Sequence, residues 1–302
     1  MAKYLDGKVV AITGGGGGIG RAIALAAAAE GAKVIVADIG VSMAGEDPSS
    51  EPANAVVAEI EAAGGEAIAV ADDVSTMEGG SHIVDAAMER WGRIDGVVAV
   101  AGILRERMLF NMAEEEWDAV IATHLKGHFT VIRAAAAVMR KQEGGGALIG
   151  FTSGAFAGSV AQANYASAKG GIVSLIRSAA AGLYRYGVTA NAIAPVARTR
   201  MSENVPMELA EMGDPEDIAP MVVYLLSDKA KHITGQVYTV VGKKIAVWNQ
   251  PREVRAMYTA DRWTPEEIEA RLDSTVGVER MDLIDKLEEY RKAAAAKDKP
   301  NA

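Results

Sequence analysis

The chain has 302 residues, a net charge of −9 and no cysteine. Its length suits one large α/β domain or two small ones, and the lack of cysteine excludes disulfides, thiolate catalysis and cysteine-ligated metals. Nucleic acids and anionic membrane surfaces are bound by clustered Lys and Arg, so the acidic balance argues against both, and no metal site is predicted.

The N-terminal segment Met1–Lys8 lacks an apolar stretch long enough for a signal peptide. Nowhere does the sequence approach the roughly 20 uncharged apolar residues that a membrane span requires. We therefore expect a soluble protein without a membrane span, located in the cytoplasm.

Short apolar runs rich in β-branched residues alternate with longer helical patterns over residues 1–242. This alternation is typical of an α/β fold with a doubly wound parallel sheet, here of about seven strands (Rossmann-type), because strands buried on both faces form continuous apolar runs. The predicted strands are Lys8–Ile12, Lys33–Ala37, Ala67–Ala71, Gly96–Val100, Ala147–Phe151, Thr189–Ile193 and Val237–Val241. The predicted helices are Ile19–Glu30, Ala53–Ala63, Gly79–Trp91, Glu114–Arg140 and Asn164–Tyr186.

A glycine-rich segment, Thr13–Gly20, follows the first predicted strand and opens the first helix. Glycines allow a tight turn and a close approach of the backbone to a pyrophosphate, and the helix N-terminus offers free N–H groups to the anion. A glycine run alone is weak evidence, but this position favours a dinucleotide site. We expect Gly14, Gly18, Ile19 and Gly20 to contact the cofactor.

Asp38 ends the second predicted strand, roughly 20 residues beyond the glycine loop, where a carboxylate binds the adenosine ribose. Such a carboxylate accepts a hydrogen bond from the 2′-OH and repels a 2′-phosphate. No Lys or Arg lies inside the loop or directly after Asp38, so the sequence predicts NAD over NADP. The following segment, Gly40–Pro52, is predicted to be a loop.

Asp73 and Val74 end the third strand region, where the edge of an adenine would lie. We expect Asp73 to accept a hydrogen bond from the exocyclic amine of the adenine. The alternative is an exposed acidic residue in a turn, without a role in binding.

Tyr165 and Lys169 lie four residues apart, which places them on one face of the helix after the fifth strand. The pKa of a free tyrosine is about 10, and a neighbouring ammonium together with a nicotinamide cation would favour tyrosinate. This spacing recurs by chance, but Ser153 at the end of the preceding strand adds a hydroxyl that could bind a substrate oxygen.

These motifs together resemble the short-chain dehydrogenase/reductase family, over about Leu5 to Gly242. The resemblance implies reversible hydride transfer between nicotinamide and a secondary alcohol or ketone. Tyr165 would pass the proton, Ser153 would polarise the C–O bond, and Lys169 would hold the ribose and lower the tyrosine pKa. The resemblance also implies a homodimer or homotetramer, and further contacts to the cofactor from Ala101, Gly102, Pro195 and Thr199.

A closer resemblance is to the (3R)-hydroxyacyl-CoA dehydrogenase region of peroxisomal multifunctional enzyme type 2. It is carried by the long insertion after Asp38 and by Ala101–Arg107, His124–Gly127, Gln162–Tyr165 and Ile193–Pro195. Bacterial relatives of this type act on steroids and other bulky alcohols. The substrate class therefore covers hydroxyacyl-CoA, steroids and similar bulky alcohols.

The sequence departs from the family in several places. Ala99-Val100-Ala101-Gly102 stands where the family usually has Asn-Asn-Ala-Gly, whose amides brace the sheet and the cofactor site. His124 replaces an Asn thought to hold a proton-relay water, so it is either a catalytic group or a packed core residue. The family's usual interval before Tyr165 leads to Thr152, whereas the strand pattern leads to Ser153, which we prefer.

Two other functions are compatible with parts of the sequence. One is a catalytically idle dinucleotide-binding sensor or scaffold, which the missing asparagines favour and the intact Tyr165/Lys169 pair opposes. The other is an enoyl reductase, a class that usually spaces its Tyr and Lys more widely than four residues.

The sequence pattern changes after Val241. We expect residues 1–242 to form the catalytic domain and residues 243–302 a helical C-terminal extension, with charged helices instead of strands. Trp248, Tyr258 and Trp263 are its large apolar side chains, and we expect them to pack on the domain or on a partner subunit.

Overall fold

The structure is a computed structural model that describes residues 3–42, 45, 47–198, 212–260, 262–278 and 281–297. The chain divides into two compact units, Met1–Trp248 and Asn249–Ala302. The strands are β1 Val9–Thr13, β2 Lys33–Ala37, β3 Glu66–Val70, β4 Gly96–Ala99, β5 Gly146–Phe151, β6 Val188–Pro195, β7 Val237–Val241 and β8 Lys244–Val247. The helices of the first unit are α1 Gly18–Ala29, α2 Glu51–Ala62, α3 Met77–Trp91, α4 Glu114–Val120, α5 Gly127–Met139, α6 Ala163–Leu183 and α7 Pro215–Leu226.

All these strands join one sheet in the order β3-β2-β1-β4-β5-β6-β7-β8, which is parallel except for β8. The predicted doubly wound α/β class is confirmed. The strand order reverses between β1 and β4, and ligands of such sheets bind outside the carboxyl ends of the strands at this point. The fold thus brings the loop after Thr13 next to the segment after Ala99.

The core lies on both faces of the sheet, as continuous apolar strands require. Along β1, Val10 and Ile12 belong to the cluster that includes α1, α2 and α7. Val9 and Ala11 point the other way, into the cluster of α3, α5 and α6. Burying apolar surface on both faces fixes the register of the strands and hence the positions of the loops at their ends.

The strand β8 was missed by the sequence analysis, which expected no strand after Val241. It pairs antiparallel with β7 through a hairpin whose two-residue loop holds Gly242 at φ 48°. Only four residues long and mostly exposed, it lacks the continuous apolar run of the buried strands. The division between the two units follows Trp248, so the proposed boundary at residues 242/243 would cut this hairpin.

The predicted helix Glu114–Arg140 is interrupted by a π-helical turn. α4 and α5 are regular, but Ile121–Lys126 between them forms a π-helix. Turns of this kind are rare and are frequent at functional sites. This one carries His124.

The second unit contains two described helices, α8 Pro265–Arg271 and α9 Asp282–Lys297. α8 begins with a capping box, in which Thr264 Oγ1 accepts from Glu267 N at 3.2 Å. Trp263 stacks with the guanidinium of Arg271 at 5.0 Å, and Tyr258 is 80% exposed. Across the described parts of the chain, no helix is long and apolar enough to cross a membrane.

Trp248 belongs to the first unit and packs on that domain. Its ring lies 4.5 Å from that of Phe156, and its Nε1 donates to Thr239 Oγ1 at 2.8 Å. The expectation of domain packing therefore holds for this tryptophan.

Candidate active site

The glycine loop is a tight turn that only glycine fits at two positions. Gly14 has φ 68°, and a Cβ there would lie 2.9 Å from the backbone of Ala101. A Cβ on Gly20 would lie 2.0 Å from the carbonyl oxygen of Gly14. No side-chain hydrogen bond caps α1 at Gly17, so the first N–H groups of α1 are left for an anion.

Asp38 lies directly after β2 and fixes the loops on both sides of it. Its Oδ2 accepts from Gly16 N at 2.9 Å, and its Oδ1 accepts from Gly40 N at 2.7 Å. A carboxylate oxygen can accept more than one hydrogen bond, so lone pairs stay free for a ribose hydroxyl. Asp38 is therefore placed for ribose binding and also holds Gly16 and Gly40 in position.

Asp73 and Val74 lie between β3 and α3. The Asp73 carboxylate accepts from the backbone N and the hydroxyl of Ser75, both at 2.8 Å, in a turn that precedes α3. Val74 is buried, and its carbonyl accepts from Thr130 Oγ1 at 2.6 Å.

A single cavity of about 850 Å³ extends along the carboxyl ends of the strands and joins the predicted site residues. This volume is within the range of ligand pockets, and the tight glycine turn fits a pyrophosphate. Thr199 lies outside the described residues. The lining includes Gly14, Gly18, Ile19, Gly20, Asp38, Asp73, Val74, Ala101, Gly102, His124, Ser153, Tyr165, Lys169 and Pro195.

Tyr165, Lys169 and Ser153 meet at the end of β5. The Nζ of Lys169 donates to the carbonyl of Phe151 at 2.7 Å and lies 5.3 Å from the centre of the Tyr165 ring. Ser153 caps the short helical turn after β5 and also hydrogen-bonds Tyr165. The i,i+4 spacing along α6 thus brings the phenol, the ammonium and the strand-end hydroxyl together.

Burial is the main influence on the pKa values of Tyr165 and Lys169. It raises the pKa of Tyr165, and the hydrogen bond from Ser153 opposes this shift. Burial also lowers the pKa of Lys169 to about 7. Desolvation of the phenolate is the largest effect on the pKa of Tyr165, so the net shift is upward, and the lowering by the lysine ammonium that the resemblance implies stays a prediction.

The two hydroxyls at the end of β5 have different surroundings. Thr152 is buried, and its Oγ1 donates to the backbone carbonyl of Lys169 at 2.8 Å. Ser153 is partly exposed and contacts Tyr165. The geometry favours Ser153 as the hydroxyl available to a substrate oxygen.

His124 is only 2% exposed and meets the Tyr165 ring edge-on, with ring centres 5.2 Å apart. Its Nε2 lies 2.7 Å from the carbonyl and 3.2 Å from the N–H of Ile103, while its Nδ1 has no hydrogen-bond partner among the described residues. Burial and the charge of Lys169 hold its pKa well below the ordinary value. A Cβ on Gly102 would lie 2.1 Å from His124 Cε1, so this glycine makes room for the ring.

Sequence reasoning missed one buried polar residue beside these groups, His128. It lies four residues after His124, and this i,i+4 spacing on an apolar helix face is the signal that could have found it.

The chain matches known proteins over most of its length. Residues 14–242 match a family model described as Enoyl-(Acyl carrier protein) reductase. The hydroxyacyl-CoA dehydrogenase ChsB1 of Mycobacterium tuberculosis is 41% identical over 285 residues, which cover 89% of this chain and 88% of that protein. The peroxisomal multifunctional enzyme type 2 of Mus musculus is 43% identical over 231 residues, or 76% of this chain and 31% of that enzyme.

Among solved structures, the fold is similar to that of a short-chain dehydrogenase from Mycobacterium avium. The TM-score is 0.82 at 44% identity, and the match covers 92% of this chain and 97% of the other. Because the family model and these relatives extend over most of the chain, it belongs to the short-chain dehydrogenase/reductase family, whose members are NAD(P)-dependent oxidoreductases acting on CH–OH groups.

Proposed function

We propose that the protein transfers a hydride between a secondary alcohol or ketone and NAD, with Tyr165 as the proton-transfer group. The observation that carries this proposal is the meeting of Tyr165, Ser153 and Lys169 in the cavity that also contains the glycine loop and Asp38. The description of the family model names an enoyl reductase, but a Tyr and a Lys four residues apart favour CH–OH chemistry.

NAD, when bound, supplies the nicotinamide carbon that accepts or gives the hydride. Tyr165 then gives its proton to the ketone oxygen or takes it from the alcohol, while Ser153 donates a hydrogen bond to the same oxygen. The raised pKa of Tyr165 suits the protonation of a ketone. Alcohol oxidation requires the phenolate, which a positive charge beside the ring stabilises.

Lys169 and His124 continue this network. The Lys169 Nζ, held on the carbonyl of Phe151, has further donors for a ribose hydroxyl. The Nε2 of His124 lies 2.7 Å from the carbonyl and 3.2 Å from the N–H of Ile103. The shorter contact favours a proton on Nε2 that is donated to the carbonyl, so Nδ1 presents a lone pair, and this supports a role in proton relay.

The proposed substrate class is a hydroxyacyl-CoA, a steroid or a similar bulky alcohol. The name of the M. tuberculosis relative and the size of the cavity support it. The test is the absorbance of NADH during incubation with a panel of acyl-CoA, steroid and aromatic alcohols and ketones. Tight NAD binding without turnover of any of them would favour the idle sensor or scaffold. A homodimer or homotetramer stays a prediction.

We expect NAD to bind more tightly than NADP by more than about tenfold, or about 1.4 kcal/mol. The reason is the Asp38 carboxylate, which would repel a 2′-phosphate. Asp38→Ala should shrink the difference in dissociation constants, as measured by calorimetry. Asp85→Asn removes an equal charge from an exposed position on α3 and should leave the ratio unchanged. Equal affinities in the wild type would contradict NAD selectivity.

We expect Ser153→Ala to lower kcat more than Thr152→Ala does. Ser153 contacts Tyr165, whereas Thr152 is occupied by the carbonyl of Lys169. Steady-state kinetics with a verified alcohol measures both variants, and melting temperatures control for the cavity at the buried Thr152. The opposite order of kcat values would assign the helper role to Thr152.

A further inference from the structure

Phe151 lies where β5 extends past its neighbour β4. The last pair between these strands is Ala99 with Gly150, so the next residue of β5 has no β4 partner. Its N–H donates to His128 Nε2 at 3.1 Å, and its carbonyl accepts from Lys169 Nζ at 2.7 Å. Two side chains thus satisfy buried backbone groups that a longer β4 would otherwise pair.

The second nitrogen of His128 contacts the π-helical turn. Its Nδ1 lies 2.6 Å from the carbonyl of His124, and the side chain is 1% exposed. The short contact with the His124 carbonyl places the proton on Nδ1, so Nε2 accepts from the N–H of Phe151, and the ring also lies beside the carbonyl of Ala99. Both nitrogens of a neutral imidazole are therefore used, each on a different element.

Burial and the charge of Lys169 lower the pKa of His128 to about 3. The imidazole is therefore neutral at physiological pH. Protonation would remove the acceptor that the N–H of Phe151 needs.

We propose that His128 is a positioning residue of the active centre, joining the turn that carries His124 to the strand end that anchors Lys169. This inference rests on the proposed function of Tyr165, Lys169 and His124. The two hydrogen bonds of His128, to Phe151 and to His124, form what we call the His128 bridge. This bridge also places polar contacts beside β4, where this chain has Ala99 and Val100 in place of the asparagines usual in the family. Loss of the bridge frees the π-helical turn and the strand end from each other.

Three substitutions of His128 separate its two hydrogen bonds. His128→Asn keeps a donor near the position of Nδ1, His128→Gln keeps an acceptor near that of Nε2, and His128→Phe removes both while filling the space. We expect His128→Phe to lower kcat by about tenfold or more, because small misplacements of catalytic groups are costly. KM for the alcohol should stay within about twofold. The Asn and Gln variants should recover part of the lost kcat.

The pH profile separates positioning from stability. In His128→Phe, displacement of the Lys169 charge should raise the pKa of Tyr165. The acidic limb of the pH profile of kcat for alcohol oxidation should therefore move to higher pH by about one unit. Ile132→Val, a buried change on the same helix, serves as the destabilised control and should leave that limb in place. His232→Asn, at an exposed site, controls for loss of a histidine.

A folded His128→Phe with wild-type kcat and an unmoved acidic limb would overturn the proposal. So would a loss of kcat that follows the melting temperature across all variants, Ile132→Val included. If His128→Phe does not fold, the Asn and Gln variants carry the same test. If the wild type turns over no alcohol, the proposed function fails separately. NAD affinity and the imidazole ¹⁵N shifts then test the bridge, and a proton on Nε2 of His128 would refute it.

Discussion

Replacement of Tyr165 by Phe is expected to lower kcat by about 10² to 10⁴, the usual effect of losing a positioned general acid–base. The ring stays, so its edge contact with His124 and the packing of α6 are kept. The affinity for NAD should fall little, because the glycine loop and Asp38 are proposed to provide the main contacts. Steady-state kinetics on a verified alcohol and calorimetric titration with NAD measure the two quantities.

Tyr184→Phe provides a matched control for this substitution. Tyr184 is exposed just after α6, so removing its hydroxyl should leave kcat unchanged. If Tyr165→Phe kept nearly full turnover, proton transfer through Tyr165 would be wrong. The alternative function as a catalytically idle binding protein would be supported only if the wild type also turned over no alcohol.

Lys169→Met is expected to lower both kcat and the affinity for NAD, since one ammonium is proposed to serve the ribose and the phenol. It should also change how stability depends on pH. Lys169 is 4% exposed and its folded pKa is about 7 instead of 10.5. Between these two values the unfolded chain binds more protons than the folded one, so wild-type stability rises with pH across this window.

The methionine variant lacks this dependence. Below pH 7 it avoids the full cost of burying the ammonium, about 5 kcal/mol. Its unpaired Phe151 carbonyl costs about 1–3 kcal/mol at every pH. We therefore expect Lys169→Met to be more stable than the wild type at pH 6 and less stable near pH 10, as measured by urea unfolding. If the difference in unfolding free energy between the wild type and Lys169→Met did not change with pH, the buried lysine would not be the cause of the pH dependence of stability.

The sheet could be predicted from sequence because its strands are buried on both faces. Their apolar runs have no competing pattern, and the glycine loop and Asp38 follow strand ends whose positions this pattern fixes. β8 escaped prediction because exposure removes the apolar run, although the turn at Gly242 was a usable signal. The π-helical turn escaped because its hydrophobic pattern differs little from that of the α-helices on either side.

The chemistry of the site was only partly predictable. Spacing placed Tyr165 and Lys169 on one helix face, and the strand pattern pointed to Ser153. Neither the spacing nor the strand pattern could give the direction in which the pKa of Tyr165 shifts, because desolvation depends on how deeply the folded chain buries the ring. His128 was missed for a related reason, since its spacing to His124 does not reveal that its other partner is the N–H of Phe151, 23 residues further along the chain.

The π-helical turn at Ile121–Lys126 also limits how the length of this segment can vary. A π-helical turn holds one residue more than an α-helical turn, so removing a residue here would favour a continuous α-helix in which α4 and α5 keep their places. The side chains of the turn itself would shift by about 100° around the helix axis, and His124 would leave the Tyr165 ring. Substitutions here can therefore be tolerated one side chain at a time, whereas a single-residue insertion or deletion would dismantle the site without altering any catalytic residue.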